Sequence, residues 1–326
     1  MLLHLAPRKA ALLKVAFFIA ITSLLTACDD GEQHYAFITN QLSDDLSVID
    51  LASQTVIKTI PMGNRPVGIA VSKTNNLAFI SNSEGQDITV LDTATMTALT
   101  QISIGGGPVG IATNHDGSRI YIADWYQHKL SVVDGQTHTV ITTIPVGNSP
   151  AGIIVDDKQQ RLYLANRDDD TVMVFNTSNH QLLHTVDVGK APFGLALSPD
   201  GTRLYSVNVQ SSDVSVINTQ TAKNIATIAV GEWPYCATVT PDGKRLYVTN
   251  QDDSTVSVIN TQNQQVITTI DVGESPEGIQ ATADGKFVYV INWSDGTVSI
   301  IDTQTNTIIN TLKTGKGSRS FGLFMQ

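Results

Sequence analysis

The sequence is poor in cysteine, in charge and in aromatic rings. It holds two cysteines, Cys28 and Cys236, so no disulfide framework can hold it together. Charged residues make up 15 % of the chain and aromatics 6 %, which speaks for a β-rich fold and against a solvated, disordered one. One long apolar run occurs, Val15 to Ala27, too short for a comfortable membrane span. There is no Cys-x-x-Cys-His for haem attachment and no glycine-rich phosphate loop. The histidines are His4, His34, His115, His128, His138, His180 and His184; none has metal-ligand spacing, and no Ser-His-Asp set is visible. Acidic groups do occur at Asp44-Asp45, Asp168-Asp169-Asp170 and Asp252-Asp253. They fall in separate repeats, so turn formation explains them better than calcium, whose oxygen ligands must converge on one point.

What the chain has in abundance is repetition. Gly63, Gly105, Gly147, Gly189, Gly231, Gly273 and Gly315 each lie 42 residues after the last. A ring column keeps the same period: Phe37, Phe79, Tyr121, Tyr163, Tyr205, Tyr247, Tyr289. Three residues on comes Asn40, Asn82, Asp124, Asn166, Asn208, Asn250, Asn292. Such periodicity marks one supersecondary unit copied until the copies bury one another.

Each copy carries four short runs rich in Val, Ile, Leu, Thr and Tyr. In one copy they are Leu195 to Leu197, Leu204 to Val207, Val214 to Ile217 and Ile225 to Val230. Gly, Pro, Asn and Asp bound these runs, and turns such as Asp200-Gly201 and Asp242-Gly243 are hairpin signals. Four antiparallel strands in about 40 residues describe a propeller blade. The strands are lettered A to D from the axis outward. The first copy opens at strand B with Phe37, and the chain ends with Phe321-Gly322-Leu323-Phe324 in strand A register. The expected fold is therefore all-β: a seven-bladed propeller over residues 35–326, with four antiparallel strands per blade. The C-terminal strand completes the N-terminal blade, which removes the open edge.

Tyr247-Val248-Thr249-Asn250 spells the motif of the YVTN repeat family, and Tyr247 to Asn260 with Val272-Gly273-Glu274-Ser275-Pro276 resembles a full unit of it. The resemblance covers about residues 35 to 326. It implies a β-propeller of the kind found in surface-layer and periplasmic proteins, and no single activity. At the N-terminus, Arg8, Lys9 and Lys14 precede the apolar run, and Leu25-Thr26-Ala27-Cys28 resembles a bacterial lipobox. This implies a signal peptide over 1–27, lipidation of Cys28, a short tether over 28–34, and residence on the periplasmic side of a bacterial membrane. Asp29 points to the inner membrane. Cleavage would leave 17 Lys and Arg against 30 Asp and Glu, a net of −13. So acidic a protein repels nucleic acid at long range.

Candidate functional residues sit where the copies differ. The A–B and C–D turns are uniform in sequence, whereas the D–A and B–C loops, which share the other face, vary. All three tryptophans, Trp125, Trp233 and Trp293, map to those loops, as does Arg167. The column after the loop proline (Ser318 in the last copy) is Val67, Val109, Ala151, Phe193, Tyr235, Glu277 and Arg319. An aromatic patch of Phe193, Trp233, Tyr235 and Trp293 with Glu277 and Arg319 is expected at the mouth of the axis, suited to a polar ligand or a peptide loop. The alternatives are that the tryptophans cap their own loops and that Glu277 and Arg319 pair only with each other. Cys236 replaces a glycine kept in five other copies; it is either a reactive thiol or a small buried residue.

These features favour a lipid-anchored binding or scaffold propeller that shows its aromatic loop face to an envelope protein, peptide or other envelope ligand. No cofactor, metal or catalytic residue is expected. The competing readings are a propeller enzyme of lactonase or lyase type and a propeller that binds a redox cofactor or nucleic acid.

Overall fold

A computed structural model describes residues 34–72 and 74–326. The signal peptide, Cys28, Asp29 and all but the last residue of the tether lie outside the described residues. The rest forms seven sheets in a closed ring, one per blade. Among the described residues the one helical element is a single turn, Arg167–Asp169.

The sequence columns explain the blades. The ring column lies wholly between sheets: Phe37, Phe79, Tyr121, Tyr163, Tyr205, Tyr247 and Tyr289 are all buried. Aromatic burial of that kind supplies much of the apolar area that stabilises the ring. The Asn column clamps the B–C turns. Asn208 Nδ2 donates to Asp213 Oδ1 (2.6 Å) and Ser215 Oγ (2.9 Å), and Asn250 Nδ2 donates to Thr255 Oγ1 and Ser257 Oγ (both 2.9 Å). The 42-residue glycine follows from this clamp: a Cβ at Gly63, Gly147, Gly189, Gly231, Gly273 or Gly315 would collide with the Asn side chain beneath it. The one departure proves consistent. Where Asp124 replaces Asn, the carboxylate is overlain by Gly106 and accepts the Gly107, Tyr126 and Gln127 amides.

Neighbouring blades are also stapled. Arg203 Nη1 donates to the Thr261 carbonyl of the next blade at 2.6 Å, and Arg161 and Arg245 repeat the bond to Thr219 and Thr303.

Blade one contributes strands Tyr35–Asn40, Asp45–Asp50 and Thr55–Pro61 from the start of the domain. Its inner strand comes from the C-terminal segment, as the register predicts. Ser318 bridges Asn40, and Met325 bridges Ala36. The Phe37 amide donates to the Phe324 carbonyl (2.9 Å), and the Arg319 amide to the Thr39 carbonyl (2.9 Å). Between these anchors the segment does more than the repeat requires. Phe321–Leu323 swings away and pairs in parallel with Gly68–Ala70 of blade two. Gly322, at φ +103°, permits the detour. The Gln280 side chain of blade seven accepts the Phe324 and Met325 amides at 2.7 and 3.1 Å. The last segment thus ties blades seven, one and two together.

Candidate functional site

Phe193, Tyr235 and Glu277 follow the loop prolines and Arg319 follows Ser318, at equivalent register in four successive blades, so their side chains meet at one end of the axis. The rings form a plug: Phe193 lies 4.3 Å from Tyr235 and 4.9 Å from Phe321, and Tyr235 stacks on Phe321 at 5.4 Å. Val67 and Ala151 pack into the same cluster. Trp125 borders it, 6.1 Å from Phe193, with the Arg167 guanidinium 5.9 Å above the indole.

Glu277 and Arg319 do pair. Arg319 Nε donates to Glu277 Oε2 at 2.7 Å, and Glu277 is 2 % exposed. The pair is also wired to its surroundings. Arg319 Nη1 donates to Gln41 Oε1 (2.9 Å) and Nη2 to the Tyr235 hydroxyl (3.2 Å), while Gln251 Nε2 donates to Glu277 Oε1 (2.8 Å). The guanidinium lies 4.8 Å from the Phe321 ring centre. Trp293 Nε1 reaches the network through Gln41 Oε1 at 3.3 Å. Desolvation pushes the Glu277 carboxyl above the usual carboxylate range against the pull of Arg319. For Arg319 desolvation is the largest influence and pulls downward, but Glu277, Tyr235 and Cys236 together raise the guanidinium above its usual value and keep it protonated. Desolvation likewise raises the Tyr235 hydroxyl and the Cys236 thiol. The thiol is thereby disfavoured in its nucleophilic form, although Cys236 is half-buried and borders the axial cavity.

Trp233 stands outside this network. Its indole is 38 % exposed, and its backbone adopts φ +53°. The same loop position is left-handed in Arg65, Ser149, Ala191, Ser275 and Gly317. The turn therefore favours a small or flexible residue, and a bulky one there carries strain. Two exposed apolar side chains on this face were not singled out by sequence reasoning: Tyr126, 73 % exposed over Gly107, and Leu42 over Gly317. Both follow the Asn column by two residues, and that column offered the signal.

The opposite end of the axis is different. Below the plug a cavity of about 800 Å³ extends to the A–B turns, walled by apolar residues of the inner strands. Among the described residues no group of three His, Cys, Asp or Glu is placed to hold a metal.

Three family models match parts of the chain: a YNCE-like beta-propeller over residues 71–161, a 7-bladed beta-propeller lactonase over 125–227 and a cytochrome D1 heme domain over 204–319. No curated protein matches the sequence. Similar solved structures include Kuenenia stuttgartiensis hydrazine synthase, at 21 % identity and TM-score 0.71, covering 77 % of this chain and 87 % of that one. A functionally unknown protein from Desulfotomaculum acetoxidans DSM 771 gives 12 % identity and TM-score 0.76, with 88 % and 99 % covered. Dihydro-heme d1 dehydrogenase NirN in complex with DHE gives 16 % and 0.67, with 86 % and 63 % covered. At these identities the likeness is one of fold, and the chain is a β-propeller.

Proposed function

We propose that this protein is a YVTN-type propeller, lipid-anchored at Cys28 to the periplasmic side of a bacterial membrane, whose work is binding. Its D–A and B–C loop face would dock an envelope protein or peptide. The observation that carries this reading is Trp233. A propeller of this sequence needs no indole there: the turn favours a small residue, and the side chain is exposed. An exposed, strained aromatic on the loop face that also carries Trp293, Trp125 and Arg167 has the composition of an interface anchor. Glu277, Arg319, Phe193 and Tyr235 serve this face from below by holding its centre rigid.

The test is recovery of partners from envelope extract by the wild type and by Trp233→Ala. A partner captured by the first and lost by the second supports the docking face, and identical partner profiles refute it. The anchor is tested separately: palmitate labelling should appear in the wild type and vanish in Cys28→Ser. The partial match to lactonases motivates one further assay, lactone hydrolysis by the purified protein with added divalent metal. Turnover there would replace the binding reading with an enzymatic one.

A further inference from the structure

The propeller domain starts and finishes on its turn face. His34 lies at the first C–D turn, where its carbonyl accepts the Leu51 amide at 3.0 Å. Tyr35 stands opposite Asp50, whose Oδ1 closes that turn by accepting the Ser53 amide at 2.6 Å. The Gln326 amide donates to the Tyr35 carbonyl at 3.0 Å, and the Gln326 side chain donates to Asn76 in the A–B turn of blade two at 3.1 Å. From there the strand Tyr35–Asn40 runs to the loop face, where Asn40 clamps the B–C turn. Three exposed apolar side chains, Leu42, Tyr126 and Trp233, stand on that loop face. In a protein tethered to a bilayer, such side chains either dip among the lipid headgroups or meet another protein.

The reach of the tether decides between the two. Residues 28–34, fully extended, span at most about 20–25 Å. To lay the loop face on lipid they would have to leave the turn face, pass outward beyond strands Asp45–Asp50 and Thr55–Pro61, and run back along the blade. Two strand spacings are about 10 Å, and a six-residue strand is about 20 Å long before its loops are added. That path is longer than the tether. The turn face is also poor in free cations. Arg161, Arg203 and Arg245 staple blades, Arg119 pairs with Asp134, and Lys244 and Lys286 pair with Asp242 and Asp284 of their own turns. Asp116, Asp157 and Asp200 tip its charge further to negative, so no basic patch draws it onto anionic headgroups. The tether, and not the surface charge, sets the orientation.

We infer that the anchor holds the propeller with its turn face toward the bilayer and its loop face toward the aqueous phase, so that Trp233 and its neighbours dock a water-borne protein or projecting domain and not lipid. This orientation rests on the lipid anchor at Cys28 proposed above.

The experiment uses the full lipidated chain in vesicles of phosphatidylethanolamine and phosphatidylglycerol that carry a rhodamine lipid. Cys236→Gly removes the free thiol and restores the residue kept in five other copies. On that background Gln262→Cys, in the C–D turn of blade six, and Asp252→Cys, in the B–C loop of the same blade, each provide an exposed site for a fluorescein label. The lipidated chain should float with the vesicles, and Cys28→Ser should stay in the aqueous fraction. The label at position 262 should transfer energy to the lipid acceptor about twofold or more better than the label at position 252, given strands of about 20 Å between the faces. Equal transfer, or stronger transfer from position 252, with flotation intact overturns the orientation and leaves the anchor standing. A Cys28→Ser chain that floats, and ceases to float when Trp233→Ala is added, shows the loop face on lipid and overturns it as well. Failure of the wild type to float removes the anchor, and the orientation with it.

Discussion

Replacing Arg319 by valine tests whether the plug depends on its own ion pair. Valine already occupies this column at Val67 and Val109, so the substitution suits the local backbone. It strands Glu277, which is 2 % exposed, with Gln251 as its remaining side-chain donor among the bonds described. An uncompensated buried charge costs about 3–5 kcal/mol. Gln41 and Tyr235 lose a donor as well, which places the expectation in the upper part of that range. For a domain of this size the fall in Tm should be about 6–10 °C. The double variant Glu277→Val/Arg319→Val removes both charges and should recover to within about 2 kcal/mol of the wild type. The effect should also depend on pH. Desolvation already raises the Glu277 carboxyl, and without Arg319 little opposes it. A group whose pKa is raised by folding supports the native state below its unfolded pKa and loses that support as pH rises through the folded value. The Arg319→Val deficit should therefore be largest near pH 8 and shrink toward pH 5. Urea unfolding followed by tryptophan fluorescence at both pH values measures it. The reasoning fails if the single and double variants are equally unstable, or if the single-variant deficit ignores pH.

Removal of residues 321–326 should cost more than about 5 kcal/mol, because Phe321, Phe324 and Met325 are all buried and each large core side chain contributes several kcal/mol; a Tm within 5 °C of the wild type would contradict ring closure as described. Trp233→Gly should raise stability by up to about 1 kcal/mol, since glycine takes φ +53° without strain, and a marked fall in thermal midpoint would show that the indole supports the fold. In a chain carrying Cys28→Ser, half-buried Cys236 should react slowly with thiol reagents at pH 8, because desolvation raises its pKa well above that pH; labelling of the native protein as fast as of the unfolded chain would contradict this.

The sequence made the blades legible because each column answers a local demand. The 42-residue glycine sits over an Asn clamp, and the ring column fills the space between sheets. The meeting of Phe193, Tyr235, Glu277 and Arg319 was legible for the same reason: equal register in a closed ring brings equivalent positions to one axis. The repeat register makes Phe321 an inner-strand residue, and its place in the plug depends on the detour at Gly322, which no repeat column encodes. Gln280 left a trace, as a long polar side chain in a column of Ala70, Ala112, Ile154, Ala196 and Thr238. Its bonds to Phe324 and Met325 could not be read from the column alone. The cavity was invisible because it is a void among seven strands, and no single residue states its width.

Closure by the last segment has a consequence for biogenesis. Thr39 must wait for Ser320, 281 residues downstream, before its amide finds a mate. Blades two to seven can assemble hairpin by hairpin as they emerge, while the first three strands remain an unfinished sheet. Until then the tail of a neighbouring unfolded polypeptide is as good a match as the chain's own, so crowded refolding should yield pairs of rings that have exchanged their final strands.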